Sequence, residues 1–196
     1  METIEHKTPI LVISGSCSPI SAYQIAWAEN NGFGIIGLDT AALVAGVNTD
    51  SILEQISRET IEKLQMGQSV IVHTSNSNTD PRIEKTKQML ENQGYTALQI
   101  QTLTAQVFGN ALGTIATTVL ANTKVERMVV AGGDTSSYAA RAMGIEAVEM
   151  LAPLTPGAPI CLLMLPGSSL DKKQIIFKGG QVGTENYYGR IGEIFK

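Results

Sequence analysis

The sequence predicts an α/β fold: a mostly parallel sheet with helices on both faces, three layers in all, and a hairpin near the C-terminus. Three observations carry this prediction. Short β-branched runs recur at 10–13, 33–38, 69–74 and 127–131. Stretches with apolar residues at helical spacing separate them, and strands joined by such helices need right-handed crossovers and so lie parallel. The first and fourth runs end in turns of small residues, so that strand, tight turn and helix start follow in order.

The elements follow one by one. Ile10-Leu11-Val12-Ile13 is too short and too branched for a helix, and Ser14-Gly15-Ser16 stops it. Ser18-Pro19 supplies a cap and a proline at the first helical position, opening a helix that runs to Asn30-Asn31-Gly32. Residues 33–38 form the second strand, and 50–65 a helix with Ile52, Leu53, Ile56, Ile61 and Leu64 on one face. The third strand is 69–74. Asp80-Pro81 starts a helix through Leu90, and 99–122 reads as a long helix rich in Ala and Thr. The fourth strand, 127–131, leads through a Gly-Gly turn to a helix over 138–143 that Gly144 ends. Residues 152–159, with three prolines, read as a connection. The runs 160–165 and 174–177 form the hairpin, and a last helix covers 185–193.

With 196 residues, 43% hydrophobic and 16% charged, the chain can bury a full-sized core as one domain, and no linker divides it. Its net charge of −4 argues against a nucleic-acid partner, which would call for a surplus of Lys and Arg. A small anion needs only one local basic spot. Cys17 and Cys161 have no second Cys or His at metal-ligand spacing and read as reduced thiols. No leader pattern or membrane-length apolar run stands out, so the expectation is a soluble, cytoplasmic protein without a membrane partner.

Two glycine turns carry the chemistry. Ala131-Gly132-Gly133-Asp134-Thr135-Ser136 lets backbone approach an anion and aims the N–H groups of a helix start at it; read blandly, it is a tight turn capped by Asp134 or Thr135. Lys178-Gly179-Gly180-Gln181-Val182-Gly183 sets three glycines beside a cation that could neutralise phosphate, or is an exposed loop. Both follow strand ends, the edge at which open parallel sheets bind ligands, and Ser14-Gly15-Ser16-Cys17-Ser18 ends the first strand in the same way. Gly32-Phe33-Gly34-Ile35-Ile36-Gly37 matches a dinucleotide fingerprint only as a string, because it runs from helix into strand. His73 reads as a structural histidine and Cys17 as a packing residue. The 75–79 loop either lines the rim or is solvated, the solvated reading being favoured.

Taken together, the serine turn, the Gly132-Gly133-Asp134-Thr135 turn, Pro156-Gly157-Ala158-Pro159 and the Lys178-to-Gly183 turn resemble, in order and spacing, the nucleotide-binding C-terminal domain of the four-carbon acid sugar kinases. That resemblance runs from about Ile10 to Gly189. It implies ATP as ligand, with Ser16, Gly132, Gly133, Asp134, Thr135 and Gly180 at the matching contact positions, and Lys178 and Gly183 flanking them in the last turn. It also implies Mg²⁺, for which Asp134 is the candidate carboxylate when it is not merely capping a helix. The family usually shows Lys-Ser-Gly-Asn-Phe-Gly in the last turn, where this chain has Gly179, Gln181 and Val182. The Asp-Asp-x-Thr-Gly-Ala type motif of the family's N-terminal half, which looks like its sugar-acid site, does not occur here. The resemblance therefore implies phosphoryl transfer to threonate, erythronate or 3-oxo-tetronate only with a substrate-binding half added, the isolated chain being a poor kinase. The alternatives are a non-catalytic nucleotide-binding module and a purely structural interaction domain. An apolar face built for a partner domain would also let the isolated chain self-associate.

Overall fold

The computed structural model describes residues 8–193. Seven strands, β1 (Leu11–Ser14), β2 (Gly34–Gly37), β3 (Val70–His73), β4 (Arg127–Ala131), β5 (Ala147–Thr155), β6 (Ala158–Met164) and β7 (Gln174–Lys178), form one sheet in the order β2-β3-β1-β4-β7-β6-β5. The first five of that order run parallel, and β6 and β5 are antiparallel additions at one edge. The α/β expectation and the C-terminal hairpin, β6 with β7, are both realised.

Alternation along the strands divides the core into two layers, as period-two geometry requires. Leu11, Ile13, Val70, Val72, Met128 and Val130 face one side. There they meet α2 (Thr40–Ala45), α3 (Thr49–Gln65), α5 (Ala97–Ala121) and α6 (Asp134–Ala142). Val12, Ile71, Val129 and Ile176 face the other side, against α1 (Pro19–Asn30) and α7 (Tyr187–Glu193). The remaining helix, α4 (Pro81–Asn92), packs on α2 and α5.

Three expectations about element boundaries need correction. α2 was not foreseen: a six-residue helix is too short to show periodicity, although Asp39 caps it by accepting from Ala42 N and Gly46 ends it at φ +66°. The proline-rich connection is largely strand. β5 runs through Pro153 because it is an edge strand, where a missing N–H costs no ladder bond, and the pairing with β6 shifts register twice. Gly157 closes the tight turn between them at φ +79°. Finally, α6 begins at Asp134, four residues before the expected start, so the Gly-Gly turn opens directly into the helix.

α5 has the length and apolar content of a membrane span, contrary to the expectation that no such run exists. Packing accounts for its composition here: Leu112, Ile115, Ala116 and Val119 are buried in the core. It meets α6 unusually closely. A Cβ at Gly109 would lie 2.7 Å from Thr135 O, and one at Gly113 would lie 2.6 Å from Ala139 O. Both positions therefore hold glycine because two helix backbones touch there.

Candidate functional site

The ladder bonds continue past the C-terminal ends of the parallel strands. Thr74 N donates to Ser14 O (3.0 Å), Gly15 N to Ala131 O (2.9 Å) and Gly132 N to Lys178 O (3.0 Å). The three small-residue turns thus leave the sheet side by side. Gly132 sits at φ +138°, a conformation that L side chains rarely adopt. A Cβ on Gly15 would overlap the Thr135 side chain, so the first turn and the start of α6 are pressed together. The N-cap of α6 is Gly133, and no side chain caps the helix. Its first-turn N–H groups therefore lack a side-chain acceptor, the arrangement that favours an anion.

A serine cluster ties the first turn to the third. Ser18 caps α1 by accepting from Ser21 N (3.1 Å) and donates to Gly180 O (2.6 Å). Ser21 Oγ lies 2.9 Å from Ser16 Oγ and 3.2 Å from Gly180 O, and has one proton to give. A Cβ on Gly180 would come within 2.7 Å of Ser16 Oγ, which explains glycine at that position. Gln24 extends the clamp, its amide donating to Val182 O and Thr184 O at 3.0 Å each.

Lys178 is 1% exposed, and by strand alternation its side chain goes to the α1–α7 side. Its ammonium donates to Gly179 O (3.1 Å), lies 3.5 Å from Gly180 O and stands 5.9 Å from the centre of the Tyr187 ring. Burial lowers its pKa to about 8. It holds the turn from behind and does not join the cavity wall. Gly183, at φ +90°, lets the chain pass over Tyr187, whose ring a Cβ would strike.

A cavity of about 650 Å³ opens above these strand ends. Of the residues the sequence singled out, Ser16, Gly133, Asp134 and Thr135 line it; Gly132 and Gly180 shape the turns behind it, and Lys178 and Gly183 support the last turn. Cys17 is exposed on its wall, which replaces the packing reading. Ser75 is buried and lines the cavity, so the solvated reading of the 75–79 loop fails at its first residue, while Asn78 and Thr79 are exposed.

Sequence reasoning missed the opposite wall. It consists of Arg82, Ile83, Thr86 and Lys87 from α4 and of Ile100, Gln101, Thr104, Ala105 and Phe108 from α5. The available signal was the Asp80-Pro81-Arg82 start of α4. Asp80 caps that helix by accepting from Arg82 N (3.0 Å) and takes a second bond from Arg82 Nε (2.9 Å). Arg82 also reaches Leu38 O (3.3 Å) and His73 Nδ1 (3.4 Å), and Gly37 has no Cβ because the guanidinium lies there. The guanidinium holds the Asp80 carboxyl well below the usual carboxylate range. Burial, reinforced by Arg82, pushes His73 down to about 4, so it is neutral at pH 7. His73 is buried and lies against Arg82, the setting of the structural histidine that the sequence suggests.

Among the described residues, no group of three or more His, Cys, Asp or Glu gathers as a metal site. A divalent ion here would rest on Asp134 and on the ligand's own oxygens, which suits Mg²⁺ bound with phosphates.

Comparison with known proteins agrees with this arrangement. A family model described as a nucleotide-binding C-terminal domain matches residues 11–188, and the chain belongs to that family. The 3-oxo-isoapionate kinase of Paraburkholderia graminis is 33% identical over 184 residues, 94% of this chain and 38% of that protein. The 3-oxo-tetronate kinase of Pseudomonas savastanoi pv. phaseolicola is 24% identical over 92% of this chain and 37% of its own length. The chain thus spans less than two-fifths of these relatives. A Haemophilus influenzae structure superposes with a TM-score of 0.66 at 19% identity, covering 96% of this chain and 40% of that one. A Bordetella bronchiseptica domain of unknown function, solved with citrate as a domain-swapped dimer, gives 0.66 at 16% identity, covering 95% and 40%. These two share the fold. The chain is thus a nucleotide-binding C-terminal domain by family, and nearly all of it is similar to part of two longer proteins named as 3-oxo-isoapionate and 3-oxo-tetronate kinases.

Proposed function

We propose that this chain binds Mg-ATP as one nucleotide-binding domain and serves as the ATP half of a cytoplasmic kinase for four-carbon or related oxidised sugar acids. One observation supports it above the rest: Gly133 and the uncapped start of α6 face a cavity large enough for a nucleotide, at the C-terminal edge of a parallel sheet. In this reading Gly133 admits the phosphates and the first-turn N–H groups of α6 receive them. Ser16 and Thr135 add hydroxyl donors, and Gly132 and Gly180 keep the turns in shape. Asp134 would hold Mg²⁺ with the phosphates, and the ion would offset their charge. Lys178 contributes by fixing the last turn. The acceptor sugar acid belongs to a substrate-binding part, supplied by a longer chain or by a partner, because the kinase relatives are more than twice as long as the matched region.

The test is calorimetric titration with Mg-ATP of the wild type and of Gly133→Val. A Cβ at Gly133 meets nothing within 4 Å, so the variant keeps its fold while its methyls fill the phosphate approach. Saturable binding lost in a folded variant is the expected result. No binding by folded wild type, or equal binding by both, overturns the reading.

A further inference from the structure

The cavity has two chemically distinct sides. The strand-end side presents glycine, hydroxyls and helix-start N–H groups. The α4–α5 side presents Ile83, Ile100 and Phe108, and Phe108 is the one aromatic ring on the wall. Ile83 is 38% exposed, a large apolar side chain left open at the cavity. Val182, which stands where the family usually has phenylalanine, packs instead into the α1–α7 core.

We infer that the α4–α5 wall is the seat of the nucleotide's purine, with Phe108 as the ring on which it stacks and Ile83 and Ile100 closing the apolar slot. The inference rests on the ATP reading above. The direction of the ligand follows from what is already satisfied. Of the two cations on this wall, Arg82 is engaged by Asp80, Leu38 O and His73, and Lys87 is half-exposed and paired with Glu91 at 3.8 Å, so phosphates gain less there. The uncapped start of α6 is the better anion site, which leaves the apolar side for the base. The two sides are mechanically joined. Phe108 precedes Gly109, which lies against Thr135, so the stacking ring and the phosphate turn are held at a fixed spacing. Gln101 stands beside the slot as a hydrogen-bonding group for the base edge, and Thr104, whose hydroxyl donates to Ile100 O (2.8 Å), can accept there.

The experiment compares Mg-ATP with magnesium tripolyphosphate, which carries the phosphates without a base. Affinities are measured by calorimetry for wild type, Phe108→Ala, Phe108→Trp and Ile83→Ser. Stacking of a base on an aromatic ring predicts roughly a tenfold or greater loss of ATP affinity in Phe108→Ala. Tripolyphosphate affinity stays unchanged, and Phe108→Trp keeps ATP binding. Ile83 is partly exposed, so Ile83→Ser should fold and lose ATP affinity by a smaller factor. Unchanged ATP affinity in both Phe108→Ala and Ile83→Ser overturns the inference. So does parallel loss of both ligands in Ile83→Ser, which would mean general damage. Wild type binding neither ligand removes the nucleotide reading itself, and wild type binding both with no effect of either substitution moves the base elsewhere.

Discussion

Because His73 is buried neutral behind the α4 wall, the fold should lose stability at mildly acidic pH, by a magnitude that can be worked out. The side chain is 3% exposed and neutral, with Arg82 at 3.4 Å; Asp80 and the Ser75 backbone favour the proton but are outweighed by burial and Arg82. Its pKa falls from 6.5 to about 4 on folding. Between those values only the unfolded chain takes up the proton, so stability falls as pH drops through 6.5 and levels off below 4. With about 1.36 kcal/mol per unit, the loss relative to pH 7 is about 2 kcal/mol at pH 5 and about 3 kcal/mol at pH 4. The Asp80 contribution, by contrast, is present above its unfolded pKa and is lost only below about pH 4, so the window from 7 to 5 isolates the histidine. Urea unfolding of wild type and His73→Asn at pH 7, 6 and 5 measures the effect. The wild-type midpoint should fall over that range and the variant's should not. A flat wild-type profile, or an equal slope in both proteins, refutes the reasoning.

Two further substitutions probe the frame of the site. Ser18→Ala removes the α1 cap and the bond to Gly180 O, and should cost about 1–3 kcal/mol of unfolding free energy in denaturant titration, with weaker Mg-ATP binding because the last turn loses its tether. Gly109→Ala pushes a methyl against Thr135 O and the Tyr138 side chain. It should lower stability by about 1–3 kcal/mol, an overpacking cost, and weaken ATP and tripolyphosphate together, unlike Phe108→Ala.

How much was legible in the sequence depended on whether the information was local. Strands such as Val70–His73 announce themselves through branched residues, and α1 through Ser18-Pro19. The glycine turns were readable because Gly132 answers a backbone demand that no other residue meets easily. The α4–α5 wall was not readable. Ile83 and Phe108 look like ordinary core residues at helical spacing, and only the packing of α4 on α2 and α5 turns them toward the cavity. Lys178 shows the same limit: beside two glycines it reads as a phosphate cation, and only the strand register shows that its side chain goes to the far face. Pro153 hid β5, since proline argues against a strand unless its place at an edge is already known.

That edge has a practical consequence. β5 is nine residues long, pairs with β6 on one side, and leaves Val148, Met150 and Leu151 exposed. Such a strand offers open backbone groups as a template for other chains. Two irregularities in register, the absent amide of Pro153 and the charge of Glu149 interrupt that template. The chain therefore carries both an invitation to strand addition and its own brake. Handling the isolated domain at high concentration will test the brake first, and replacing Met150 with lysine is the change that should extend its shelf life without touching the cavity on the far side of β7.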